Sequence, residues 1–392
     1  MHTTTNLSLF SLKNEAPDDR VDHVVIPTSV VHHYEHREFG TAIRNALYIK
    51  KYKSTSQEQE QNPVVFFHGG PGFVNEEQFS ITQNYFTNRR HPFYIPEVEG
   101  SGMYSRGALP KGFDPLTISS TDLKLLEIKK WDESGLNEFT KNYVDDIKDV
   151  LVYISKQHPG KKINVITHSL GGHQVLRALQ QASELNDKIG AICNIAGVSN
   201  MGASRFWFTL NKAIMSDGNS ELFYKLLNEQ DIRFFKSKAN ENQDGTVIDK
   251  NNNPSVNQRM NEEFSVIYGN LSHFPPILFL HSTDDKAVFF QGTMLLQKKI
   301  QENKSIAHGF YFMKGGHQFI KNEGDPEIRS LALEKMNDFF HQPAKDLSND
   351  LSQLSYEDVS SEFSQYLQSR ETYLNNKLTV EIIEENMHKI SF

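Results

Sequence analysis

An α/β fold, with a mostly parallel sheet covered by helices on both faces, follows from short apolar runs that stop at glycine-rich turns and alternate with helical periodicity. Val64-Val65-Phe66-Phe67 and Ile163-Asn164-Val165-Ile166 read as strands buried on both faces, because neither alternates apolar with polar residues. Between Phe139 and Ile154 the apolar positions 139, 143, 147, 150, 151 and 154 recur at helical spacing, and Pro159-Gly160 stops that helix.

The other elements follow along the chain. Residues 1–22 are polar, contain Pro17, Asp18 and Asp19, and show no period, so they read as a loosely ordered arm. From Val24 to Lys53, runs such as Val24-Val25-Ile26 and Leu47-Tyr48-Ile49 predict short strands with Gly40 near a turn. A polar loop, Ser54 to Pro63, leads into the Val64 strand, which ends at His68-Gly69-Gly70-Pro71-Gly72, and His91 to Val98 reads as another strand. The Ile163 strand runs into Thr167-His168-Ser169-Leu170-Gly171-Gly172 and then a helix with Val175, Leu176, Leu179 and Ala182 on one face. Ile189 to Ala196 and Ile277 to Leu280 are two more buried strands. Asp325-Pro326 supplies an N-cap and a first-turn proline for a helix reaching Phe340. Aromatic helical material between 200 and 272 interrupts the alternation and reads as an insertion. The core is therefore expected at 23–199 and 273–342, with 343–392 a helical extension of broken leucine spacing.

Composition narrows the function. The 392 residues suit one large domain or two ordinary ones. With 41 Lys and Arg against 49 Asp and Glu, the net charge of −8 argues against nucleic acid or an anionic membrane as partner. One cysteine, Cys193, excludes an intrachain disulfide and multi-thiolate zinc sites, and fits a reducing compartment. The first ten residues lack a basic start and a sustained apolar stretch, and no apolar run approaches a membrane span. The expectation is a cytoplasmic protein with no integral membrane segment.

Ser169 is the leading chemical candidate. A serine between a buried strand and a helix has its hydroxyl raised at the carboxyl end of the sheet. Gly171 lets the turn tighten, whereas Thr167 stands where a glycine is usual and, being β-branched, is expected to be strained. The alternative role of Ser169 is a simple helix cap. A serine hydroxyl needs a base and a group that orients the base. His317, in Lys314-Gly315-Gly316-His317 after the apolar Phe310-Tyr311-Phe312, has the right chain order, with His308 in reserve. His168 is a poor base, because the tight turn points adjacent side chains apart. Asp285, on the loop after the Ile277 strand, is the preferred acid and Asp284 the alternative. The oxyanion donors would be the amides of Leu170, at a helix start, and Gly70, where missing side chains admit a substrate carbonyl.

On these residues the sequence resembles the α/β-hydrolase fold family over roughly Val24 to Phe340. Its His68-Gly69-Gly70-Pro71-Gly72 loop is similar to that of the proline iminopeptidase branch, while Thr167-His168-Ser169-Leu170-Gly171-Gly172 is closer to lipases and esterases. The resemblance implies a Ser169, Asp285, His317 triad, oxyanion donors at Gly70 and Leu170, and a helical lid. That branch usually carries Asp-Gln-Arg-Gly where this chain has Glu97-Val98-Glu99-Gly100. An aminopeptidase would also need lid carboxylates for the substrate's ammonium, for which Glu221, Glu229, Glu262 and Glu263 are available. The expected substrate is a small molecule or short peptide, with no cofactor and no metal required. A non-catalytic binding protein on the same fold is the alternative. His32-His33-Tyr34-Glu35-His36 matches an inverted zinc-peptidase spacing, but its β-branched flanks favour a strand over the required helix.

Overall fold

The computed structural model describes residues 19–36, 40–55, 60–69, 76–98, 133–199, 266, 269–272, 274–285, 287–288, 290–301, 308–343 and 347–348. Eight strands form one sheet: β1 (Val21–His36), β2 (Gly40–Tyr52), β3 (Val64–Phe67), β4 (Phe93–Pro96), β5 (Ile163–His168), β6 (Ile189–Ile195), β7 (Ile277–Ser282) and β8 (His308–Met313). Their order is β1-β2-β4-β3-β5-β6-β7-β8. The hairpin β1–β2 and the pair β2–β4 are antiparallel, and every pair from β4 to β8 is parallel.

Residues 24–53 differ from the expected short strands. They form a long hairpin whose register slips between Pro27 and His32, a bulge that breaks the alternating pattern. His32 to His36 lie in β1, so the zinc-peptidase spacing falls on extended chain rather than on a helix. His32 packs 3.6 Å from Asp146, and among the described residues no group of three or more His, Cys, Asp or Glu is arranged to hold a metal ion.

The helices are α1 (Ser80–Thr87), α2 (Glu133–Gln157), α3 (Leu170–Gln181), α4 (Phe290–Gln301) and α5 (Pro326–His341). The central strands β3 and β5 are buried at every position, as residues covered on both faces must be. One apolar layer joins Tyr143, Ile147, Val150, Leu151 and Ile154 of α2 to Val175, Leu176 and Leu179 of α3 over Val65 and Val165. The opposite layer sets Phe79 and Phe86 beside Phe66, Ile166 and Cys193, together with Leu333, Met336 and Phe339 of α5. Asp325 caps α5 by accepting from the Glu327 and Ile328 amides, with Pro326 at the first helical position. Beyond α5 the chain returns to the sheet edge, where the Phe310 amide donates to Ser348 Oγ at 3.0 Å. No helix among the described residues is long and apolar enough to cross a membrane. Of the expected arm (1–22), lid (200–272) and extension (343–392), residues 1–18, 200–265 and 349–392 lie outside the described residues.

Candidate active site

The carboxyl ends of β5, β7 and β8 deliver the candidate residues to one edge of the sheet. Ser169 sits between β5 and α3 with φ 56° and ψ −124°, a left-handed conformation that a non-glycine residue adopts only when its surroundings force it. The surroundings are specific. Ser169 N–H donates to Ile195 O at 2.9 Å, and Ser169 O accepts from Gly172 N at 3.0 Å and Val198 N at 3.3 Å, which staples the turn to the end of β6.

Glycines supply the room. A Cβ on Gly171 would lie 2.2 Å from Phe67 O, and one on Gly172 would lie 2.8 Å from Asn194 Oδ1, so neither site admits a side chain without backbone movement. Thr167, expected to be strained, instead pairs within β5 to Phe67 and Asn194 and is fully buried, a position that suits a β-branched residue. The crowding anticipated there falls on Gly69 and Gly171. A Cβ on Gly69 would sit 2.4 Å from Ser169 Cβ and 3.0 Å from its Oγ, so Gly69 lies directly against the candidate nucleophile. Gly70 lies outside the described residues. Leu170 is the first residue of α3, where the leading amides have no intrahelical acceptor.

Asp285 and His317 meet: His317 Nδ1 donates to Asp285 Oδ2 at 2.8 Å. The other carboxylate oxygen, Oδ1, accepts the Ala287 and Val288 amides, both at 2.8 Å. Burial alone would push the Asp285 carboxyl up. The His317 charge and the hydrogen bonds from His281 and His317 outweigh it and hold the group well below the usual carboxylate range. Asp285 therefore faces the imidazole as a carboxylate. Asp284 points elsewhere. Its Oδ1 accepts the Gly315 and Gly316 amides at 3.0 and 2.9 Å and the Ser282 hydroxyl, so it grips the backbone of the loop that presents His317. Gly315 and Gly316 have φ of 133° and 67°, which favours glycine in that turn. His308, the reserve base, opens β8 opposite Ile277, about 16 Å of strand from the loop bearing His317.

His168, immediately before Ser169, has a role that sequence reasoning missed. Its Nε2 donates to the His317 carbonyl at 3.0 Å, and the two rings lie 4.8 Å apart. Burial pushes the His168 imidazole down to about 3, so it stays neutral, with the proton on the nitrogen that faces the carbonyl. A neutral ring thus links the elbow to the histidine loop. The missed contacts carry little linear signal, since residues 168 and 317 are far apart in the chain. Glu221, Glu229, Glu262 and Glu263 lie outside the described residues.

The left-handed turn after a buried strand, with Gly69 against it and an imidazole–carboxylate pair on the neighbouring strand ends, defines the architecture of one family. The profile of the alpha/beta hydrolase fold matches residues 62–273, and the chain belongs to the α/β-hydrolase fold family. Solved structures to which the chain is similar include a Pyrococcus horikoshii acylaminoacyl peptidase, with 19% identity and a TM-score of 0.47, where 83% of this chain aligns to 44% of that one. Est1E from Butyrivibrio proteoclasticus aligns with 13% identity and a TM-score of 0.46, over 80% of this chain and 99% of its own. Thermogutta terrifontis esterase 2, phosphonylated by cyclosarin, gives 12% identity and a TM-score of 0.46, over 82% and 96%. The chain spans less than half the length of the acylaminoacyl peptidases it matches. No curated protein matches the sequence.

Proposed function

We propose that this protein is a serine hydrolase that cleaves a carboxylic ester or amide through an acyl-enzyme. The observation carrying the reading is the 2.8 Å hydrogen bond from His317 Nδ1 to a buried, ionised Asp285, at the sheet edge where Ser169 is held in a left-handed turn. With Nδ1–H committed to the carboxylate, His317 has Nε2 available as a base. As the Ser169 Oγ–carbon bond forms, its proton passes to Nε2, and the carbonyl oxygen gains charge held by the Leu170 and Gly70 amides. Collapse breaks the bond to the leaving group, which takes the proton from Nε2. Water then repeats the sequence on the acyl-enzyme, releasing the acid and restoring the Ser169 hydroxyl.

A second reading, an aminopeptidase of the proline iminopeptidase type, draws on the sequence His68-Gly69-Gly70-Pro71-Gly72, of which Gly69 lies against Ser169. Lone, buried Cys193, with its thiol pushed up by burial, suits a cytoplasmic setting. A fluorophosphonate probe tests the chemistry. Wild-type protein is expected to be labelled at Ser169 and Ser169→Ala to be unlabelled. Folded wild-type protein that takes no label would favour the non-catalytic reading. Turnover of short- and long-chain nitrophenyl esters beside proline naphthylamide separates esterase from peptidase. A clear preference for the amide selects the second reading.

A further inference from the structure

Asp285 serves two histidines. Besides His317, the buried His281 places Nε2 3.2 Å from Asp285 Oδ2, and the same nitrogen lies 3.3 Å from Val288 O. Both neighbours of His281 Nε2 are acceptors, so that nitrogen carries a proton. Nδ1 is hydrogen-bonded to the Thr293 hydroxyl of α4 at 2.7 Å. The network closes on itself, because Val288 also donates its amide to Asp285 Oδ1. Asp285 Oδ1 thus accepts two backbone amides, while Oδ2 accepts the His317 Nδ1–H and lies 3.2 Å from His281 Nε2, whose N–H is shared with Val288 O.

We propose that His281 is a positioning residue that shares the Asp285 carboxylate with His317 and so limits how strongly that carboxylate supports the base. The proposal rests on the serine hydrolase reading and adds a residue to it. A carboxylate has a fixed charge to distribute among its donors, and each further N–H draws density away from the others. If His281 only filled space, an apolar ring or branched chain would suffice at a position that is 1% exposed. Instead it is held at both nitrogens, by Thr293 on one side and by Asp285 and Val288 on the other.

Among the described residues, few other ionisable groups bear on this network. Asp284 turns away to the Gly315 and Gly316 amides, His168 covers His317 as a neutral ring, and Lys321 acts on His168 from the loop beyond. The α4 residues facing His281 are Thr293 and the uncharged Phe290. The direction of the effect follows. Without the His281 N–H, Asp285 concentrates its charge on His317 and favours the imidazolium. The acid limb of the kcat/KM profile then moves to higher pH.

The experiment compares wild type, His281→Leu and His281→Gln for nitrophenyl acetate turnover and fluorophosphonate labelling rate across pH 5–9. Leucine removes the donor, whereas glutamine retains an N–H near the Nε2 position. The acid limb is expected to rise by about half to one pH unit in His281→Leu and to return to the wild-type position in His281→Gln. A limb that is unmoved or lowered in His281→Leu, or that moves equally in both variants, overturns the proposal while leaving the hydrolase standing. Wild-type protein that never labels at Ser169 removes the hydrolase reading itself, and the proposal with it. Should His281→Leu fail to fold, Thr293→Val removes the partner of Nδ1 and weakens Nε2–H as a donor. It is expected to shift the limb in the same direction by a smaller amount, and an unchanged limb overturns the proposal.

Discussion

Replacing Asp285 with asparagine separates the two adjacent aspartates, because the structure gives them different jobs. Asp285→Asn keeps the shape and removes the charge beside the His317 imidazolium that forms as Ser169 loses its proton. The side chain is fully buried and its Oδ2 lies 2.8 Å from Nδ1, which puts the centres of charge about 4 Å apart. At an effective dielectric constant near 20, that attraction is worth about 4 kcal/mol, or about a thousandfold in rate at 1.36 kcal/mol per decade. The amide can also turn an N–H toward Nδ1 and lock the unproductive tautomer, which adds to the loss. Asp284→Asn retains the side-chain carbonyl oxygen that accepts the Gly315 and Gly316 amides. It is expected to stay within about tenfold of wild type, since the three contacts that Oδ1 accepts lose their charge assistance but are kept. The assay is kcat/KM for nitrophenyl acetate on both variants, with circular dichroism to confirm the fold. An Asp285→Asn protein within tenfold of wild type, or an Asp284→Asn protein that loses more, would refute the assignment.

Gly69→Ala should leave the sheet intact and cut the fluorophosphonate labelling rate at least tenfold, because the new methyl would reach 2.4 Å from Ser169 Cβ and displace the hydroxyl. Gly171→Ala drives a methyl to 2.2 Å from Phe67 O, backbone that cannot turn aside, and should lower stability by about 3 kcal/mol in urea melts. Stability should fall as pH drops below 6.5. Burial lowers the folded values of His168 and His173 to about 3 and that of His68 to about 4, so each unfolded imidazole takes up a proton that the folded one refuses. The stability they contribute is complete above the ordinary histidine value and is lost as pH falls toward the folded values. At pH 5 a single such histidine costs about 2 kcal/mol, a decline that urea midpoints between pH 7 and 4.5 would register.

The turn that carries Ser169 was legible in the sequence because its signal is local: strand, small residues and helix follow within a few positions, and each obeys its own periodicity. The choice between Asp284 and Asp285 depended on where two glycine amides lie, thirty residues downstream, and linear spacing carries no such information. His281 escaped notice for a related reason. Its partners are Asp285 across a turn and Thr293 on a helix whose inward face mixes Phe290, Leu296 and Ile300 with Thr293 and Gln297. Those polar residues diluted the apolar stripe and hid α4 itself. Helix α1 was obscured likewise, its buried positions being Thr82, Phe86 and Thr87. The length of the β1–β2 hairpin was masked by the register slip after Pro27.

That Ser169 and His317 operate as a single unit is open to a direct kinetic measurement. Groups that share one proton transfer are non-additive, since removing either abolishes what the other contributes. The kcat of Ser169→Ala, His317→Ala and the double variant should therefore be equally low. If the two single losses instead multiply in the double variant, the residues act separately and the proposed mechanism is wrong.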